Sequence, residues 1–148
     1  MRLTDALRAE HAVFHTLFDT LDRSAHMLTE IGQVHTAARL LGSVLQFHGE
    51  AEDKLLMPII EPLLSELGQD EKFHEEHHAI DEGLEKILAC HDLNVANRAL
   101  ERVVQIARAH FDLEERVVFP LTEERVNAAS LEKLGREWAM IKQTDQKS

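Results

Sequence analysis

Two copies of one histidine–glutamate motif are the residues of this sequence best suited to metal or proton chemistry. Each copy places a glutamate four residues after a histidine and a proline ten residues after it, and the copies use two of the three prolines in the chain. Residues four apart lie one above the other on the same face of a helix. Histidine is the commonest metal ligand and titrates near neutral pH. The two copies are His48, Glu52 and Pro58, and His110, Glu114 and Pro120.

An internal repeat adds two more histidines to this set. Adding 66 to the numbers of an apolar stripe between residues 7 and 21 gives a matching stripe between residues 73 and 87, and His11 falls on His77. Adding 62 maps the first motif onto the second. Each repeat therefore reads as a helical hairpin, with one histidine on the apolar stripe of its first helix and a histidine and a glutamate on its second.

The expected burial of these six side chains argues for bound cations. They fall on or near helix faces where the pattern otherwise requires leucine, valine or phenylalanine. A buried, unpaired carboxylate costs several kcal/mol, and a second one nearby costs more. Two divalent ions would supply the compensating charge, with carboxylates bridging them and imidazoles capping each ion. Nitrogen and oxygen ligands without thiolate suit iron or manganese, with zinc as an alternative, and we expect iron for so histidine-rich a set.

Helices must position these groups, because the 3.6-residue period persists along the chain and no stretch alternates with a period of two. We expect a single all-α domain over residues 1–148. Its simplest architecture is an up-down-up-down antiparallel four-helix bundle over about residues 4–125, with a short C-terminal helix packed on it. The predicted helices cover about residues 4–30, 34–57, 70–91, 94–119 and 130–142, with a kink or restart at Pro58 and N-caps at Thr4, Asp70, Asn94 and Ser130.

Composition narrows the class of protein. The 148 residues carry a net charge of −11, which argues against a nucleic-acid partner because few cations are available to collect phosphates. Apolar runs are only a few residues long, so we expect no membrane span, and the first residues lack the apolar core of a secretory signal. The single cysteine, Cys90, allows neither an intrachain disulfide nor a thiolate metal site. We therefore expect a cytoplasmic protein.

Four segments resemble the hemerythrin-like, or HHE cation-binding, domains: EHAVF (10–14), FHGEAEDKLLMP (47–58), EHHAI (76–80) and HFDLEERVVFP (110–120). The resemblance covers about residues 4–125 in the family's motif order. It implies an up-down-up-down bundle that holds two non-haem iron ions with a bridging oxo or hydroxo group. Carried onto this sequence, the imidazole ligands are His11, His48, His77 and His110, and the bridging carboxylates are Glu52 and Glu114.

The sequence departs from the oxygen-carrying hemerythrins in two places. Those proteins carry His-x4-Asp on the fourth helix, where this chain has His-x3-Glu, and a second third-helix histidine where this chain has Phe73. His74 lies on the adjacent face and is predicted as an extra ligand beside His77. An alternative register uses His74 with His78, which are four residues apart. These departures argue against a dedicated oxygen carrier.

Three functions remain open at this level. The first is binding of O2, or of NO, at one open ion for sensing, storage or the handling of iron and oxidative stress, with a separate protein partner needed for any sensing output. The second is a di-iron redox enzyme or iron donor, acting on peroxide or nitric oxide or in iron–sulfur cluster repair. The third is a structural bundle that binds zinc. Ligation by His74 favours the first function, and its absence favours the second.

The surroundings of the site are also predicted. Apolar walls that exclude water are expected from Phe14, Phe18, Phe47, Phe111 and Leu55. His15, one turn from His11, is expected to line the pocket or orient a ligand rather than bind. The acidic runs at residues 75–76, 114–115 and 123–124 are interpreted as mostly solvated, with Glu114 excepted.

Overall fold

The structure is a computed structural model that describes the backbone of residues 1–145 and the side chains of residues 1–143. Within that part of the chain every regular element is a helix, as predicted. A 3-10 turn at Ala25–Met27 follows the first helix. The α-helices are α1 (Leu3–Ser24), α2 (Ile31–Ala51), α3 (Met57–Glu66), α4 (Asp70–Ala89), α5 (Leu93–Leu113), α6 (Phe119–Arg125) and α7 (Ala128–Asp145).

Two π-helical turns, Glu52–Leu56 and Glu114–Val118, join α2 to α3 and α5 to α6 without a break. In the first turn the N–H of Met57, the residue before Pro58, donates to the carbonyl of Glu52 five residues earlier, and the second turn repeats this arrangement. A proline has no N–H and its ring crowds the carbonyl four residues back, which disturbs the α-helical ladder, although α3 continues through Pro62. Pro58 and Pro120 follow the two widened turns at the same place in the repeat, and the restart expected at Pro58 takes this form.

The predicted N-caps were wrong, because each helix begins one to three residues earlier than its predicted cap allows. Thr4 and Asp70 lie inside the first turns of α1 and α4, whose N-caps are Arg2 and Gln69. The carboxylate of Asp92, rather than Asn94, caps α5 by accepting the N–H of Val95 at 2.9 Å. The side-chain oxygen of Asn127 accepts the N–H of Ser130 at 2.9 Å, so Ser130 lies inside α7. A side-chain oxygen reaches the N–H three residues further on, and Asp92 and Asn127 have that reach.

The buried apolar residues form two clusters. One is built from α1, α2, α4 and α5 and includes Phe14, Phe18 and Phe111. The other includes Leu7, Phe73 and Phe119, together with residues of α3 and the π-helical turns. The predicted C-terminal helix, α7, packs against this second cluster through Leu134, Trp138 and Ile141. Helix α4 packs against α5 and α2, and α1 packs against α5 and α7.

Close approach between elements requires glycine at two positions. A side chain at Gly83 on α4 would collide with Val103 on α5, and a side chain at Gly135 on α7 would collide with the backbone carbonyl of Met1. The absence of a Cβ at these positions therefore lets α4 approach α5 and lets α7 approach the N-terminus. Among the described residues, no helix is long and apolar enough to cross a membrane.

Candidate metal centre

Six of the seven predicted ligands converge in one buried cluster. Their ligand atoms form two groups of four, within each of which all atoms lie within 4.8 Å of one another. Both groups contain Glu52 and Glu114, and they differ only in their pair of histidines. The first group adds His11 and His48, and the second adds His77 and His110. This arrangement follows the sequence repeat, because each group takes one histidine from each of two helices.

In the first group, α1 supplies His11 and α2 supplies His48. The two Nε2 atoms lie 3.2 Å apart. His11 Nε2 lies 3.1 Å from Glu114 Oε2, and His48 Nε2 lies 3.0 Å from Glu52 Oε1. All four side chains are buried.

In the second group, α4 supplies His77 and α5 supplies His110. Their Nε2 atoms lie 2.7 Å apart. His77 Nε2 lies 3.6 Å from Glu52 Oε2, and His110 Nε2 lies 3.3 Å from Glu114 Oε1. Each glutamate thus turns one carboxylate oxygen toward each pair of histidines.

The two shared carboxylates are the most demanding groups of the cluster. Glu52 and Glu114 are 0% exposed, and their four oxygens face imidazole Nε2 atoms at 3.0 to 3.6 Å, with no hydrogen bond of regular geometry to any described residue. Such burial costs several kcal/mol per carboxylate unless charge compensates it. The first residues of the two π-helical turns thus bring two anions into the core, where four imidazole nitrogens surround them. This donor set fits a divalent cation.

Three further carboxylates orient the imidazoles through their other ring nitrogen. His11 Nδ1 lies 3.0 Å from Glu115 Oε1, and His48 Nδ1 lies 2.9 Å from Glu10 Oε2. His110 Nδ1 lies 3.1 Å from Glu76 Oε2. A proton held between Nδ1 and a carboxylate leaves the Nε2 lone pair free to bind a metal ion.

The expectation of mostly solvated runs holds for the exposed Glu115, whereas Glu76 is only 16% exposed, and both carboxylates also contact an imidazole. Both keep part of their surface in water while one oxygen reaches an imidazole. The repeat held a signal that was overlooked: Glu10 and Glu76 are 66 residues apart, and each directly precedes a first-helix histidine. Each of them contacts the histidine of the second helix in its own hairpin.

The carboxylates set the protonation of the imidazoles. Burial opposes a charge on His48, but the nearby Glu52 and Glu10 outweigh burial and raise the pKa of His48 to about 10. Glu114 and Glu76 overcome the same penalty and raise the pKa of His110 to about 10. Burial and the proximity of His110 lower the pKa of His77 to about 4.

The two central carboxylates titrate in opposite directions. Burial, together with repulsion from Glu114, raises the pKa of Glu52 to about 7. Burial also acts on Glu114, but its contacts with His110 and His11 outweigh it and hold the pKa of Glu114 well below its ordinary value. Protonated imidazoles thus supply the positive charge that these buried anions require.

His74 lies outside both groups. Its Nε2 is 3.0 Å from Glu61 Oε1 on α3, and its side chain is 55% exposed. His78 points to solvent beside Glu82. His15 contacts the edge of Phe111 at 6.2 Å between ring centroids, and it too lies outside the groups. Neither register predicted for a fifth imidazole is seen at the cluster.

Aromatic rings enclose most of the site. The ring of His11 stacks on Phe111, with centroids 4.0 Å apart and planes inclined by 13°. Phe14 packs edge-on against His48 at 5.3 Å, and Phe73 lies 4.8 Å from both His77 and His110. Four of the five predicted wall residues are buried, whereas Phe47 is 43% exposed on α2 and carries Lys142 against its ring.

The arrangement could hold a metal ion, because buried nitrogen and oxygen donors converge and the central anions contact only imidazole nitrogens, which are themselves metal ligands. A chain that buried these groups for packing alone would be more stable with apolar residues in their place. Comparisons of the chain with models of protein families, with curated proteins and with solved structures found no match.

Proposed function

We propose that this chain is a hemerythrin-like protein that holds two iron ions and binds a small ligand, O2 or NO, at them. One observation carries the proposal: two pairs of histidines share the same two carboxylates, with one oxygen of each carboxylate facing each pair. Two adjacent ions need this pattern, because each bridging carboxylate then neutralises part of the charge of both.

The proposal includes the fold that the resemblance implies. The long helices α1, α2, α4 and α5 would form an up-down-up-down antiparallel bundle, with α7 as an added helix. The packing of α4 on α5 and α2, and of α5 on α1, supports this arrangement. So do the connections, since only a few residues separate α1 from α2 and α4 from α5.

In this proposal His11 and His48 hold one ion, His77 and His110 hold the other, and Glu52 and Glu114 bridge the two. Iron would supply the electrons and the open coordination position that a diatomic ligand needs, with an oxo or hydroxo group as a further bridge. The chain's own residues orient the imidazoles through Nδ1 and keep water from the buried side of the site. A protein partner for sensing and a cytoplasmic location stay predictions.

A second function is favoured by the position of His74. Without a fifth imidazole, neither ion is saturated by protein ligands, so both have room for exogenous groups. His74 contacts Glu61 rather than the cluster. This observation favours a redox enzyme or an iron donor over a carrier that binds oxygen reversibly.

The deciding experiment is the content of iron and zinc per chain in protein purified without air, followed by exposure to air. About two irons per chain would support the di-iron proposal, and zinc or no metal would overturn it. A new visible absorption band on exposure to O2 would support ligand binding. Oxidation of the iron without such a band would support the redox or donor function.

Two variants sharpen this experiment. His77→Leu removes a ligand and should lower the iron content toward one per chain. His74→Leu should leave the iron content at two. If His74→Leu also leaves the lifetime of any O2 adduct unchanged, the fifth-ligand interpretation is wrong.

A further inference from the structure

The two ion positions of the proposed centre differ in how far they are enclosed. His11 is fully buried and stacked on Phe111, and His48 is almost fully buried against Phe14. At the other position His77 keeps 25% of its side chain exposed. The first position is therefore sealed by aromatic rings, and the second is open on one side.

The imidazoles of the two positions are also restrained differently. Both histidines of the first position have a carboxylate at Nδ1, and Glu10, which holds His48, is itself paired with Lys142 Nζ at 2.9 Å. At the second position only His110 has such a contact, since no described residue forms a hydrogen bond or ion pair with His77 Nδ1. The repeat places Asp53 where Glu115 stands in the other half, and its side chain is one methylene shorter.

A cavity of about 210 Å³ opens on this looser side. Three of the four ligands of the second position line it: Glu52, His77 and His110. Of the first position's own histidines only His48 reaches its wall. Six water molecules occupy about 180 Å³ in the liquid, so a hydrated divalent ion fits this space.

The wall of this cavity is acidic from its surface to its buried end. The exposed carboxylates of Asp53 and Asp81 and the half-buried Glu50 line it. The fully buried Glu52 lines it as well, with one oxygen facing His48 and the other facing His77. Clefts lined by one sign of charge attract counter-ions and raise their rate of entry.

We propose that the ion bound by His77 and His110 exchanges with solvent through this acidic cavity, while the ion bound by His11 and His48 stays in place. This inference rests on the proposed two-ion centre. It gives the centre one fixed ion and one exchangeable divalent cation, which Asp53 and Asp81 guide between solvent and Glu52. The two halves of the repeat would thereby have acquired different tasks.

The test is the release of Fe2+ from protein loaded without air with two equivalents per chain and mixed with excess chromogenic ferrous chelator. We expect two phases of equal amplitude, with the fast phase at least about tenfold faster than the slow one. His77→Leu should remove the fast phase and keep the slow one. Release of both equivalents at one rate would overturn the proposal.

The role of the cavity is tested by the double variant Asp53→Asn/Asp81→Asn, which alters no ligand. Uptake of the second equivalent of Fe2+ should slow about threefold or more at low ionic strength, and the difference should shrink in high salt. The matched control is Glu82→Gln/Glu85→Gln, which removes the same charge from exposed positions on α4 outside the cavity wall. Equal uptake rates in the two variants would overturn the proposed route. Loading of fewer than two ions would instead contradict the di-iron proposal itself.

Discussion

At the scale of single residues, the geometry of the imidazoles depends on carboxylates that bind no metal themselves. Glu10, Glu76 and Glu115 each hold one imidazole by its Nδ1 atom, which turns Nε2 toward the central glutamates. Removing such a partner from a metal site costs about 10- to 100-fold in affinity in known cases, because the ring loses both its orientation and part of its basicity.

We therefore expect Glu76→Gln to weaken the binding of one of two Fe2+ equivalents by about tenfold or more. Gln offers an amide oxygen without the charge that supports the Nδ1 proton of His110. Competition with a chelator of known affinity measures the effect. Glu75→Gln is the control, since Glu75 is its exposed neighbour in the same acidic run. Equal affinities in both variants would show that the 3.1 Å contact does not support the site.

Metal uptake should also release protons. In the ion-free protein the raised pKa values of His48 and His110, both about 10, mean that each imidazole carries two protons at pH 7. A metal ion binds Nε2 only after its proton leaves, and Glu52, with a pKa of about 7, is half protonated at that pH, so we expect release of about two to three protons per chain at pH 7. Since the ion-free form binds more protons than the loaded form, affinity should rise with pH up to about 10. Calorimetry in buffers of different ionisation enthalpy counts the protons, and a count of zero would contradict the charged state of these imidazoles.

At the scale of elements, the π-helical turns connect the duplicated prolines to the site. Each turn begins at a central glutamate and ends before a proline. Pro58→Ala restores an N–H that can donate within an ordinary α-helix, so the first turn should narrow to α-helical geometry. The side chain of Glu52 should then turn away from the imidazoles. We expect iron affinity to fall by about tenfold, measured by chelator competition.

Pro62→Ala is the matched control, because Pro62 lies within the same α3 helix but follows no π-helical turn. It should leave iron affinity unchanged and stabilise the helix, since alanine is the better helix former. Equal losses of affinity in both variants would contradict a specific role for the widened turn.

The six clustered residues were predictable because periodicity and the repeat depend only on the order of residues along helices. His11 and His77 interrupt apolar stripes, and such interruptions are visible in one sequence. The contact of the Glu76 carboxylate with His110 could not be predicted, since a partly exposed side chain can either face water or reach across to a neighbouring helix. The spacing allowed His74 to reach the cluster, but only the packing of α3 beside α4 brings Glu61 to it instead.

The N-cap residues of the helices were also predicted wrongly, because capping depends on local side-chain geometry that the sequence does not show. Asp92 and Asn94 are both good caps, and the choice depends on which side-chain oxygen meets a free N–H three residues on.

The exposure of Phe47 also follows from local helix geometry. It directly precedes the inward-facing His48, but one residue along a helix turns the side chain by about 100°, toward the surface where Lys142 lies.

At the scale of the whole molecule, the buried polar cluster lies between the two apolar clusters and contacts both. His11 packs against Phe111 of one cluster and Phe119 of the other. The molecule therefore carries two central carboxylates and four imidazoles where a continuous core would be more stable. An ion that binds only the folded chain raises the free energy of unfolding. One site contributes about 2.7 kcal/mol when the free ion concentration is 100 times its dissociation constant.

We expect the free energy of unfolding of the ion-free protein to rise by at least about 2.7 kcal/mol when Fe2+ is added without air at 100 times its dissociation constant. The double variant Glu52→Leu/Glu114→Leu provides the opposite case. It removes the two shared carboxylates, so iron should no longer stabilise it, and without iron it should be less stable than the ion-free parent because the buried imidazoles of His48 and His110 lose their counter-charge. Denaturant unfolding of both proteins, with and without Fe2+, gives the four values. If iron left the parent unchanged, or stabilised the leucine variant as much as the parent, the two glutamates would not be metal ligands.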